Sequence, residues 1–234
     1  MAGVAAIRRA VLSDAAPARL GLGWWIAALA VTIGTNILDF LTAPRPGEEL
    51  TAAFIPAALV RVVLVFWIGY LLVRRMMRAT PAQGDRWTLP RYVALTLVLA
   101  IGYGMTQKIA DLSLGQENLA NRWLLMLAVS AAWTIILIRT TAWSAALAAG
   151  RRFRVLPSLW RSLSGRHFAL SVVFAQLILP LIAIHLALAL LSVTLILPPR
   201  ALIGMAVVDG VVSAGQMVLT AALQQTALIL ADRP

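Results

Sequence analysis

Residues 53–78 read AFIPAALVRVVLVFWIGYLLVRRMMR, an apolar run over 53–73 that carries one charge, Arg61, and is closed by Arg74, Arg75 and Arg78. A helix needs about twenty apolar residues, each rising about 1.5 Å, to cross the hydrocarbon core of a bilayer. This run has that length. Trp67 and Tyr70 sit near its end, where ring-bearing residues anchor a helix at the headgroups, and the arginines beyond are the kind retained on the cytoplasmic side of short loops. The stretch predicts a transmembrane helix whose C-terminal end faces the cytoplasm.

Working outward, the same grammar recurs over 22–41, 92–109, 123–138, 168–196 and 201–230, giving six spans in all. The fifth and sixth exceed the length a membrane requires, so they must tilt, bend or protrude, and Pro180 is the expected bend in the fifth. Over its 234 residues the chain is 61% hydrophobic and 12% charged, about half the charge of a soluble domain, which excludes an ordinary globular protein. The fold expected is all-α: a polytopic helical bundle with six transmembrane helices and a short interfacial helix, forming a single membrane domain over 1–234, with 1–21 as a cytoplasmic N-terminal segment. The first span is expected to be retained, because its apolar core is longer than that of a signal peptide and no small-x-small cleavage site precedes Pro44.

A formal charge of +11 raises nucleic acid as a partner, but nineteen of the twenty basic residues are arginines and most of them sit in short gaps between apolar runs, not along one basic face. Counted by gap, fourteen lie on one side of the six-span arrangement and four on the other, with Arg61 and Arg139 inside spans or at their edges. That alternation places both termini in the cytoplasm. Trp24, Trp25, Trp67, Tyr70, Trp87, Tyr92 and Trp123 fall near span ends and read as interface anchors.

Between the fourth and fifth spans, 151–166 is a basic interfacial loop. Within it Leu156, Leu159, Trp160 and Leu163 share one helical face, and Pro157 suits a first turn, so a short helix should lie with its apolar side in the headgroup boundary. Arg139, Arg151, Arg152, Arg154, Trp160, Arg161 and Arg166 are the candidate lipid-headgroup residues, with anionic lipids as the expected partners and no nucleic acid. Small residues mark packing faces: Ala128 and Ala132; Ala142, Ala146 and Gly150; and Gly204, Gly210, Ser213 and Gly215.

Ionisable groups inside spans are expensive and therefore candidate functional groups. Counting rise along each helix brings Arg61 and Asp209 to similar depth, so they are expected to pair, with Asp39 as a rival partner for Arg61. His185 reads as a hydrogen-bonded packing residue with no carboxylate nearby in sequence, Gln216 as polar glue, and Lys108 with Asp111 as a local pair one turn apart. No catalytic residue, metal or cofactor is expected. Cysteine is absent, and Glu48 with Glu49 lacks the basic partners of an intramembrane prenyl-protein protease.

Residues 139–173, RTTAWSAALAAGRRFRVLPSLWRSLSGRHFALSVV, resemble the membrane-domain family of glycerophosphodiester phosphodiesterases: a span ends, small residues lead into a basic loop, and a tryptophan followed by a glycine precedes the next span. Trp160, Ser162 and Gly165 carry the likeness, over 35 of 234 residues. The resemblance implies a bacterial inner-membrane protein. The catalytic and metal-binding residues of that family reside in a fused domain for which this sequence leaves no length, so no activity is carried over. The function expected is a non-enzymatic one, assisting lipid or envelope processes or serving a larger membrane complex through a protein partner. A small transporter or substrate-binding component with a polar pocket around Arg61 and Asp209 is the alternative, and a lipid-acting enzyme ranks third.

Overall fold

The computed structural model describes residues 3–42, 52–77, 86–113, 119–194 and 198–232, and all secondary structure among them is helical. The elements are α1 Val4–Ala15, α2 Pro17–Leu20, α3 Leu22–Thr42, α4 Phe54–Met76, α5 Thr88–Ser113, α6 Leu119–Ala148, α7 Leu156–Ser162, α8 His167–Leu177, α9 Leu179–Thr194 and α10 Pro199–Asp232. Five helices are long and apolar enough to cross a membrane, and α8 with α9 makes a sixth if that pair, bent by 40°, is one span. The bend falls where the sequence puts it. α8 ends at Leu177, and Pro180 in the first turn of α9 has no N–H to continue the ladder.

α10 is the central helix, packing on α1, α3, α4, α6, α7, α8 and α9, while α5 lies mainly on α6. α10 and α3 approach closely at Gly210. A Cβ added at Gly210 would come within 2.5 Å of the Ile33 Cα and 2.8 Å of its nitrogen, so only glycine fits there. The other small residues divide. Ala142 and Ala146 are fully buried, whereas Ala128 and Ala132 face outward and Gly204 has open space beside it.

Polarity is arranged in reverse of a soluble protein. Thr32, Thr35, Asn36, Asp209, Gln225 and Thr226 are buried, while Val63, Val98, Ile101, Met105 and Leu186 are more than half exposed. An outward apolar surface of this kind suits a hydrocarbon solvent and would be a liability in water.

Three expectations need correction, and the N-terminal segment adds a finding of its own. The N-terminal segment folds: Ile7 and Val11, one turn apart on α1, are buried against the bundle while Arg8 and Arg9 face out. The fourth helix runs ten residues beyond Ile138, because the alanine-rich stretch 139–148 has no breaker until Gly150. Gly150 adopts φ +87°, and the amides of Gly150 and Arg151 donate to the carbonyls of Leu147 and Ala146, the paired closure that glycine allows. α7 forms on the predicted face, but Leu156, Leu159 and Leu163 are buried against α6 and α10 rather than presented to headgroups, since the longer α6 and α10 offer them apolar protein surface worth about 2 kcal/mol per leucine. Finally, Tyr70 and Tyr92 are buried ring partners with centroids 5.5 Å apart, not interface anchors; Trp67 and Trp87 are exposed as expected. The side chains of Trp123, Asp111 and Arg154, and residues Glu48 and Glu49, lie outside the described residues.

Candidate functional sites

Two groups of polar side chains gather in the bundle. The first centres on Asp209, which is 2% exposed. On α3, Thr32, Thr35, Asn36 and Asp39 follow the spacing of one helical face, and the glycine contact brings that face onto α10. The Thr32 hydroxyl lies 2.7 Å from the Gly210 carbonyl and 2.8 Å from that of Ala28, so its one proton serves either acceptor. The Asn36 side-chain amide donates to Asp209 Oδ2 at 2.7 Å, and His185 Nδ1 lies 2.6 Å from Asp209 Oδ1. Both carboxylate oxygens are thus engaged, as burial requires.

Arg61 does not form the expected ion pair with Asp209. It pairs with Asp39, the rival, while Asp209 acts on it only through space. Rise along a helix fixes depth but not azimuth: α3 packs beside α4 and presents Asp39 to it, whereas the oxygens of Asp209 are already committed to α3 and α9. His185 does find a carboxylate, supplied by α10 rather than by its sequence neighbours. Gln216, half-buried two turns along α10 from Asp209, joins neither pair. Asn36 and Thr32 were missed in the sequence, although the polar stripe on α3 was legible there.

The second group lies where α6, α7 and α8 meet. Arg139 and Trp143 are one turn apart on the extended α6. The Arg139 guanidinium carbon stands 4.9 Å from the Trp160 ring centroid, Trp143 is 5.7 Å from Trp160 and His167 is 6.2 Å from it, so the α7 tryptophan is the hub. Arg139 Nε and Trp143 Nε1 are buried without a hydrogen-bond partner, and the buried ring nitrogens of His167 have only the Trp160 main chain beside them.

The other arginines of this end differ from one another. Arg151 makes two hydrogen bonds to Asp232 at the end of α10, one of them 2.8 Å between Nη1 and Oδ1. Those bonds hold its guanidinium further above its ordinary range. Arg166 donates to the Leu230 carbonyl. Of the candidate headgroup residues, Arg151 and Arg166 are therefore tied to protein acceptors, because α10 ends between them. Arg152 and Arg161 are exposed, and Arg139 and Trp160 belong to the buried cluster.

No family model, curated protein or solved structure matches this chain.

The chemistry must therefore be read from these groups alone. Among the described residues no three metal-ligating side chains gather. The Asp209 group is acid, base and amide in mutual contact, able to bind or pass a proton or to fasten α3, α9 and α10 together. The Trp160 group offers a guanidinium, an indole N–H and an imidazole with one donor nitrogen, which is chemistry that suits an anion.

Proposed function

We propose that the protein is a non-enzymatic, multi-pass protein of the bacterial inner membrane, with six crossings and both termini cytoplasmic. It assists lipid or envelope processes, alone or as a subunit of a membrane complex, by holding anionic lipid at its arginine-bearing end. The observation that carries this reading is the pairing of an outward apolar belt, Val63, Val98, Ile101 and Leu186 among it, with arginines such as Arg75, Arg152 and Arg161 exposed at helix ends. An arginine at an anionic membrane surface contributes about 1 kcal/mol, and several along one rim add up to lipid selection. The likeness of 139–173 to the membrane domains of glycerophosphodiester phosphodiesterases falls on this same end and agrees with the reading.

Native mass spectrometry of the chain released from mixed phosphatidylglycerol and phosphatidylcholine vesicles tests it. Phosphatidylglycerol should be enriched among retained lipids, and Arg152→Gln with Arg161→Gln should reduce the enrichment about fivefold per arginine. Retention that mirrors the vesicle composition would reject the reading. A second reading, a small transporter or substrate-binding component, draws on one observation: the Asp209 group lies across the bent α8–α9 pair, and broken spans line substrate paths in transporters. It requires a water-soluble small molecule that co-purifies with the parent and is lost in Asp209→Asn.

A further inference from the structure

We propose that the Arg139, Trp143, Trp160 and His167 cluster is a discrete binding site for one phosphoryl group, that of an anionic phospholipid headgroup. The inference rests on the lipid reading above but narrows it from a charged rim to a single cluster of side chains.

The first argument is charge. Among the described residues Arg19, Arg61 and Arg151 each have an aspartate, respectively Asp14, Asp39 and Asp232. Arg139 has none, and it acts electrostatically on a second basic group, His167, again with no carboxylate between them. Arg139 is thus a half-buried guanidinium with no carboxylate partner, and a cation so placed is best satisfied by an anion.

The second argument is hydrogen bonding. Native interiors leave few buried donors unsatisfied, and each costs stability. Here Arg139 Nε and Trp143 Nε1 are buried and partnerless around one ring, and His167 beside them has no side-chain partner. An unpaired donor alone is unremarkable, but unpaired donors from α6 with an imidazole from α8, grouped about Trp160 of α7, describe the outline of a missing acceptor. A phosphoryl group has three or four oxygens and a negative charge, which matches donors that include a guanidinium and an imidazole.

The third argument is orientation. The cation–π contact with Trp160 holds the Arg139 guanidinium over that ring, which favours its pre-organisation. Trp143 and Trp160 supply indole faces of the kind that sit between acyl chains and headgroups. Trp143 lies in the last turns of α6 and His167 opens α8, so the cluster sits toward one end of both candidate spans. A phosphate that stays attached to its lipid is therefore favoured over a free one.

The test uses the full chain in mild detergent, titrated separately with phosphatidylglycerol, phosphatidylcholine and inorganic phosphate, with bound species counted by native mass spectrometry and helicity followed by circular dichroism. The parent should bind one phosphatidylglycerol at least about tenfold more tightly than phosphatidylcholine, and Arg139→Gln and His167→Gln should each erase that margin with helicity unchanged. Arg152→Gln should leave the tight molecule in place. If Arg139→Gln fails to fold, His167→Gln, which keeps the arginine, decides the matter. Phosphatidylglycerol preference that survives in both variants would overturn the site while leaving the rim reading intact. No preference in the parent would bring down both. Inorganic phosphate bound in place of the lipid would overturn the assignment to a lipid headgroup.

Discussion

Asp209 shows how much a single buried side chain settles. Its oxygens hold Asn36 on α3 and His185 on α9, so the residue is a three-helix junction inside α10. Asp209→Ala would leave the buried Asn36 and the part-exposed His185 without a mate, an expected loss of about 1–3 kcal/mol, read as reduced resistance to thermal or denaturant unfolding in micelles. Arg61 belongs to a separate pair, with side chains 33% exposed for the arginine and 18% for Asp39. Neutralising Arg61 should therefore be compensated by Asp39→Asn and not by Asp209→Asn. A double-mutant cycle on unfolding free energy should give a coupling of about 0.5–3 kcal/mol for Arg61 with Asp39 and a smaller one for Arg61 with Asp209. Equal couplings would mean that the two pairs act as one network. The two carboxylates were both visible in the sequence as partners at the right depth. The choice between them was not, because it depends on which way α3 and α10 are turned, and a period of 3.6 residues gives no rotation relative to a neighbour.

At the scale of the helix, that rotation is set by Gly210. Its missing side chain lets α3 approach until the Thr32 hydroxyl reaches the Gly210 carbonyl. Gly210→Ala must push the Ile33 backbone away, which should cost about 1–3 kcal/mol and loosen the Asn36 contact with Asp209, whereas Gly204→Ala, with nothing within 4 Å, should be nearly neutral. Comparing the two variants' unfolding midpoints separates a packing contact from a general helix effect. Long spans such as α3 and α4 were legible because twenty apolar residues announce themselves locally. α1 was not, since Ile7 and Val11 are two buried residues on a short helix flanked by arginines, and their burial depends on surface that α8 and α10 provide. The last ten residues of α6 were obscured for another reason. Alanine and serine carry little hydropathy, so 139–148 resembled a connection although it is among the best-buried parts of the chain. The Trp160 cluster depends on that extension. Arg139, Trp160 and Arg161 could be nominated from their place beside a span, but the orphaned nitrogen of Trp143 and the place of His167 appear only once α6, α7 and α8 are folded together.

Across the whole molecule, the ends of the helices constrain the topology that the arginine count proposes. Arg151, just past α6, is hydrogen-bonded to Asp232, and Arg166, just before α8, donates to Leu230, so α6, α8 and the end of α10 share one end of the bundle. α10 has 34 residues, about 51 Å of helix, and its start at Arg200 must then lie at the other end. The chain therefore has to travel the length of the bundle between Arg166 and Arg200, and the bent α8–α9 pair is the segment available to do it. If that pair is one broken crossing, the proposed count is six. Because the protein contains no cysteine, single substitutions report without background. Arg8→Cys, Arg75→Cys and Arg152→Cys should react with a membrane-impermeant maleimide only after the cells are opened, and Arg200→Cys should react in intact spheroplasts. Arg152→Cys and Arg200→Cys labelled from the same side would make α8–α9 a re-entrant element, leave five crossings and put the two termini on opposite faces.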